Sequence, residues 1–379
     1  MLQKLCSELG LFGGVFDSVT FRAAAAGLMA FLLCIFFGPK IIAALRRRKI
    51  QEAVGKKDSV FLIKHHECKK NTPTMGGVIL LGSALAAAFL WCRLDVVYVW
   101  LCFFAVISLG AVGFVDDWIK LNRLKTKGLT IWQKLALQFF IGLLLGTALS
   151  FWGEPNQKTQ VIASFFSPAG LELGFFYAFW AMLVVVGTSN AVNLTDGLDG
   201  LATLCTLTVV VALGVLAYFS GHAEIARYLH VPKVPGAEEL AVFLAALAGG
   251  CLGFLWYNAH PAEVFMGDTG SLPLGGIIGF MALAIKQELL LVLIGGVFVA
   301  EALSVLIQIF SFQCFGKRVF SIAPLHHAFE MKGWSEAKIV TRLFIISALL
   351  AVCGIAALRI PGGDEGKGST PQAMQIKGK

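Results

Sequence analysis

Val96 to Lys120 reads V-V-Y-V-W-L-C-F-F-A-V-I-S-L-G-A-V-G-F-V-D-D-W-I-K, an uncharged run of twenty residues that ends on two aspartates and a lysine. About 20 apolar residues cross the hydrocarbon as a helix, so the run is a candidate span. The carboxylates at its end set the problem. An aspartate at the centre of a bilayer helix costs about 2.5–3.5 kcal/mol, so such groups persist where they meet water, a cation or one another.

Working outward, similar windows recur at 21–45, 75–92, 96–115, 131–152, 175–193, 200–220, 239–257, 270–286, 289–312 and 338–358. Ten spans are expected. The composition agrees: 57% of the 379 residues are hydrophobic and 14% charged, and the mean hydropathy is +0.78. Soluble domains carry about 25% charged residues, so this is an integral membrane protein. Unbroken apolar runs, rather than alternation, select helices over a barrel. The expected fold is all-α, a polytopic ten-helix catalytic domain over residues 1–360 with a disordered polar tail over 361–379. No cleaved signal peptide is read at the start.

Basic residues cluster between Arg46 and Thr74, between Asp116 and Lys134 and between Gly316 and Lys338, while the connections at 93–95, 153–174, 221–238 and 286–288 are poor in them. By the positive-inside rule the first set is cytoplasmic and both termini lie outside. The formal charge of +8 then follows from topology, and nucleic-acid binding is not invoked. The nine cysteines form no C-x-x-C pair, so neither a disulfide framework nor a zinc site is indicated.

Five aspartates fall on the expected inner face: Asp116 and Asp117, Asp196 and Asp199 in N-L-T-D-G-L-D-G, and Asp268 in F-M-G-D-T-G-S. Adjacent helical residues diverge by about 100°, so Asp116 and Asp117 should have different tasks, with Lys120 sharing their face. Asn190, Asn193, Asp196 and Asp199 recur every three residues, on one side of a bent helical hairpin. The loop around Asp268 combines a carboxylate, hydroxyls and glycine backbone, which suits a phosphate with its Mg²⁺. Phe265 could stack on a flat base. His326 and His327 occupy the last inner loop, where they could contact phosphate or sugar. Glu301, Ser304 and Gln308 form a polar stripe, read for the first two as helix-to-helix bonding.

Taken in order, N-T-P-T-M-G-G (71–77), D-D-W-I-K (116–120), T-K-G-L (126–129), N-L-T-D-G-L-D-G-L (193–201), F-M-G-D-T-G-S-L (265–272) and P-L-H-H-A-F-E-M-K-G-W (324–334) resemble the phospho-N-acetylmuramoyl-pentapeptide-transferase family. The resemblance implies transfer of phospho-N-acetylmuramoyl-pentapeptide from its UDP carrier to undecaprenyl phosphate, giving lipid I and UMP with Mg²⁺ at the inner face of a bacterial plasma membrane. It also implies ten helices with both ends outside and, in many members, a homodimer. It assigns Asp268 to Mg²⁺ and the diphosphate, Asp116 to deprotonating or orienting the lipid phosphate, and Asp117 to supporting either. Lys69, Asp199 and Phe265 resemble the uridine-side contacts. Thr74, Asn193, Asp196, Gly267 and Gln308 line the cleft, and Lys120 and Lys134 meet phosphates. One departure is Ala328, where the family usually has a third consecutive histidine.

The nearest rival is a superfamily member using a smaller UDP-sugar. An ion-coupled transporter would keep its charges near the midplane rather than at one surface. An intramembrane aspartyl protease would need two facing aspartates within the membrane. The D-G-x-x-A-R pattern of CDP-alcohol phosphotransferases is absent, since Leu198 and Asp199 follow Gly197.

Overall fold

The computed structural model describes residues 11–47, 72–122, 128–154, 158–163 and 167–358. The proposed tail at 361–379 lies outside them, as does most of the basic segment at 46–74. After a 3-10 turn (Leu11–Asp17) come α1 (Val19–Arg47), α2 (Gly77–Trp91), α3 (Val97–Asn122) and α4 (Ile131–Trp152). The antiparallel ribbon of β1 (Gln160–Ala163) and β2 (Ser167–Glu172), with Val161 opposite Leu171, was not anticipated. Then follow α5 (Tyr177–Thr195), α6 (Leu201–Gly221), α7 (Ala223–Tyr228), α8 (Ala237–Asn258), α9 (Asp268–Ala284), α10 (Glu288–Ile294), α11 (Gly296–Phe315), α12 (Leu325–Met331) and α13 (Glu336–Ala357).

Eight of these helices are long and apolar enough to cross a membrane, so the protein is a polytopic, α-helical membrane protein. Two expected spans are shorter, α2 with 15 residues and α9 with 17. The expected ninth span is broken at Gly295 into α10 and α11. Other boundaries move for one physical reason: hydropathy marks where charge begins, whereas a helix ends where its backbone bonding ends. Thus α3 runs beyond residue 115 to Asn122 and carries Asp116, Asp117 and Lys120 on its own last turns. Likewise α9 starts at Asp268 rather than at 270.

The centre of the bundle is α9, in which every side chain from Thr269 to Ala284 is buried. It packs against α3 and α5, while α8 packs against α1, α6 and α2. Small residues permit this closeness, as in membrane helices generally. At Gly275 an added Cβ would lie 2.3 Å from the Thr188 carbonyl oxygen, so α5 and α9 meet backbone to backbone.

At the end of the bundle remote from Asp116, Asp117 and Asp268, Arg22 of α1 is buried against Glu239 of α8 in a two-pronged pair, with both N···O distances 2.6 Å. Glu239 Oε2 also accepts the Arg93 backbone N–H at 2.9 Å, and Arg22 donates to the Trp91 carbonyl at 3.3 Å. The pair therefore ties α1 and α8 to the α2–α3 turn. Replacing one partner leaves a buried charge unbalanced, at a cost of about 3–5 kcal/mol. Arg22→Met should lower the melting temperature of the detergent-solubilised protein, and adding Glu239→Gln should restore part of the loss; equal melting temperatures for wild type and single variant would remove this tie from the fold.

Candidate active site

Four helices and one strap meet at the other end. The strap is Thr72–Gly76, held against the segment before α9 by Phe265 N–H to Pro73 O (2.8 Å), Gly76 N–H to Phe265 O (2.8 Å) and Gly77 N–H to Met266 O (3.0 Å). It brings buried Thr74 beside Gly267, which has φ +71°. A Cβ there would sit 2.7 Å from Asp117 Oδ2 and 2.9 Å from Thr74 Oγ1, so this position requires glycine on both counts. The left-handed residue lets the chain turn from the strap's partner directly into α9.

The first turn of a helix leaves N–H groups without intrahelical acceptors. In α9 one of them, Thr269 N–H, is taken by Asp117 Oδ2 at 2.9 Å, and the Thr269 hydroxyl donates to the same oxygen at 2.7 Å. An aspartate of α3 thus caps α9. Asp116 Oδ1 accepts the Leu129 N–H at 2.7 Å. Asp268 Oδ1 accepts from Asn193 Nδ2 at 2.6 Å, and that amide also donates to Ser271 Oγ at 2.8 Å.

Each carboxylate therefore has one oxygen anchored. The other three turn toward a single cation: Lys120 Nζ lies 2.6 Å from Asp116 Oδ2, 3.5 Å from Asp117 Oδ1 and 2.9 Å from Asp268 Oδ2. Asp116 and Asp117 do diverge, but they return to one point through different oxygens. Lys134, in the first turn of α4 behind a Thr130–Gln133 capping box, adds a contact to Asp268 Oδ2 at 3.0 Å and one to Asn193 Oδ1 at 3.3 Å. Ligand oxygens of Asp116, Asp117 and Asp268 lie within 4.8 Å of one another, close enough to hold one metal ion. An all-oxygen carboxylate set suits a hard divalent cation, and the Lys120 ammonium stands where such charge is wanted. The family resemblance gives the metal to Asp268, and the positions of Asp116 and Asp117 allow all three to share it.

Not every expected acid joins this group. Asp199 is buried and belongs to a second one with His260 and Glu336, also within 4.8 Å. Its Oδ2 accepts from His260 Nδ1 and from Ala262 N–H, both at 3.1 Å, and its N–H donates to Glu336 Oε1 at 2.6 Å. His260 and Glu336 went unread in the sequence; the only hint was an acid in the first turn of the last helix. Asp196 is half-buried at the C-terminal cap of α5. Asn190 turns away to donate to Gln138 Oε1 at 3.0 Å.

The remaining expected residues divide similarly. His326 is fully buried, with Nδ1 3.2 Å from Glu301 Oε2, and its ring packs on Gly197. His327 is half-buried, and its Nδ1 is 2.6 Å from Glu330 Oε2. Glu301 Oε2 accepts the His326 N–H at 3.4 Å and so bonds helix to helix, as expected, whereas Ser304 Oγ donates to the Glu301 carbonyl of its own helix at 2.7 Å. Gln308 is occupied by backbone: its Nε2 donates to Phe320 O at 3.0 Å, and its Oε1 accepts from Val319 N–H at 3.1 Å and Phe320 N–H at 2.9 Å. Phe265 is half-buried beside the site, and Ala328 is buried in α12. Lys69 lies outside the described residues.

This geometry coincides with two sequence matches. The profile of glycosyl transferase family 4 matches residues 99–286, and phospho-N-acetylmuramoyl-pentapeptide-transferase signature 1 matches residues 69–81. They point to the polyprenyl-phosphate sugar-1-phosphate transferase superfamily. The longer match runs from α3 through α9 and takes in every residue of the three-carboxylate group; the shorter one covers the strap that packs on Gly267. The longer match and the carboxylate group able to hold a metal thus fall on the same stretch of chain.

Gly267→Ala should displace Asp117 and weaken Mn²⁺ binding at least tenfold, about 1.4 kcal/mol, in calorimetric titration of the purified protein. Unchanged affinity would mean that the Asp117 anchor does not shape the cation site.

Proposed function

We propose that the protein transfers a sugar 1-phosphate from a uridine diphosphate carrier to a polyprenyl phosphate, with a divalent cation, Mg²⁺, held by Asp116, Asp117 and Asp268. The observation that carries this is the trio of anchored carboxylates whose second oxygens share one cationic point.

In the reaction an acceptor phosphate oxygen attacks the sugar-bearing β-phosphorus. The bond from that phosphorus to the bridging oxygen breaks, and UMP leaves with the electron pair. Two anions must approach, so positioning and charge dominate the barrier. Lys120 and Lys134 stand beside Asp268 to receive that charge, and when bound the cation polarises the diphosphate oxygens and neutralises the leaving group. The acceptor needs little deprotonation, since the second pKa of a phosphate monoester is about 6. Asp116 then chiefly orients the acceptor, Asp117 fixes the start of α9, and displacement is direct. On the donor side Asp199, Phe265 and Lys69 take the uridine, while Thr74, Asn193, Asp196, Gly267, Gln308 and His327 border the diphosphate-sugar.

A finer reading names the donor as UDP-N-acetylmuramoyl-pentapeptide, the acceptor as undecaprenyl phosphate and the product as lipid I, at the cytoplasmic face of a bacterial plasma membrane. The signature at 69–81 and the P-L-H-H segment favour it. The longer match fits a transferase of smaller UDP-sugars equally well.

Purified protein with Mg²⁺ and undecaprenyl phosphate should release UMP from one of two donors, UDP-N-acetylmuramoyl-pentapeptide or UDP-N-acetylglucosamine. Chelation should stop it. Asp268→Ala and Asp116→Asn should each lower kcat by about 100-fold or more, roughly 2.7 kcal/mol of barrier. Turnover of the smaller donor alone would reject the muramoyl reading, and release of UMP from neither would reject the reaction.

A further inference from the structure

One helical turn beneath the three-carboxylate group, a second set of polar contacts joins the helices that carry Lys134, Asn193 and Asp268. Gln138 of α4 is fully buried, and its Nε2 donates to the Ser189 hydroxyl of α5 at 2.9 Å. Ser189 Oγ in turn donates to the Leu272 carbonyl oxygen of α9 at 2.9 Å. Gln138 Oε1 accepts from Asn190 Nδ2 at 3.0 Å, and that amide also donates to Val186 O at 2.8 Å. Lipid offers no hydrogen bonds, so a buried side-chain amide in a span must find such partners on neighbouring helices.

Each member of this clasp stands four residues from a member of the site. Gln138 follows Lys134 in α4, Ser189 precedes Asn193 in α5, and Leu272 follows Asp268 in α9. Four residues advance about 6 Å along a helix and return to the same face. The clasp and the contacts of Lys134 with Asn193 and Asp268 are therefore successive rungs of one seam. Further along α4 the same seam is Gly142 and Gly146, where an added Cβ would lie 3.1 Å from Met182 Cα and 2.7 Å from the Ala178 carbonyl oxygen. Those glycines let α4 lie close on α5 but give it nothing to grip. Among the described residues of α4, Gln138 is the one buried polar side chain.

We infer that Gln138 is a positioning residue: by clasping α4 to α5 and, through Ser189, to α9, it sets the register that holds Lys134 on Asp268. Fixing a register is the best-attested use of a buried polar group among apolar helices. The inference rests on the reaction proposed above in one respect, that Lys134 serves the transferred phosphate. A shift of about 1 Å in such a group can cost about 100-fold in rate. A side chain that merely bonded α4 to α5 would act independently of Lys134, whereas a positioning residue acts through it.

The test uses two variants of the full-length protein in detergent. Gln138→Met keeps the side chain's length and removes its hydrogen bonds; Ser189→Ala cuts the leg to α9 and is the milder change should the first not fold. Each should lower kcat for UMP release at least tenfold with Lys134 present, but less than twofold in a Lys134→Met background. Acylation with acetic anhydride, followed by mass spectrometry, reads the same point without turnover. Lys134 should react at least threefold faster in either variant, while Lys286, buried just past the other end of α9, should keep its rate. Equal loss of kcat in both backgrounds, an unchanged Lys134 rate, or a joint rise of Lys134 and Lys286, which marks general loosening, would each overturn the assignment. A wild-type protein that releases no UMP would sink the reaction, and acylation would still decide the clasp.

Discussion

Three carboxylates within 4.8 Å at the ends of apolar helices repel one another and resist burial, and the surrounding structure is arranged to hold them there. Burying an unpaired carboxylate costs several kcal/mol, so an uncompensated trio would cost on the order of 10 kcal/mol, comparable with the stability of a whole domain. The compensation is layered. Lys120 and Lys134 supply charge, while Leu129 N–H, Thr269 and Asn193 each fix one oxygen. Asp268 and Asp117 also lie at the N-terminus of α9, where helix partial charge favours an anion. A cluster built this way is preorganised for a cation or a phosphate, since its acceptors need not rotate to meet one.

That arrangement depends on α9 being placed without slack. Its buried length contacts α3 and α5 through small residues, and its first residue is set by a left-handed glycine pressed against the strap. Asp117 belongs to α3 but bonds the backbone of α9, so the two helices cannot slide past each other without breaking the site. At the far end Arg22 and Glu239 restrain α1, α8 and the α2–α3 turn.

The membrane class, most of the spans and the three aspartates that come together were legible in the sequence because hydropathy and charge are local properties. Helix ends were less so: the third span was set to end at residue 115 because charge stops an apolar window, although the helix continues to Asn122. Partners across the fold were hidden altogether. Nothing near Asp117 in sequence announces Thr269, and nothing near Asp199 announces His260 or Glu336, because these contacts depend on how helices far apart in the chain are stacked. The period-three pattern from Asn190 to Asp199 suggested one shared face, but α5 ends at Thr195, and the turn beyond it sends Asp199 elsewhere.

That same turn joins the two polar groups. Asn193 holds Asp268, and six residues later Asp199 holds His260 and Glu336, with Gly197 between them packed on the ring of His326. Glu336 opens α13, and His326 lies in α12 against Glu301 of α11. The last three helices therefore reach the three-carboxylate group through a single short turn, although they contribute none of its carboxylates. Nucleotide bound near Asp199 would act on the same turn that orients Asn193. On the proposed reaction, recognition of the donor and alignment of the reacting phosphate are then mechanically one event.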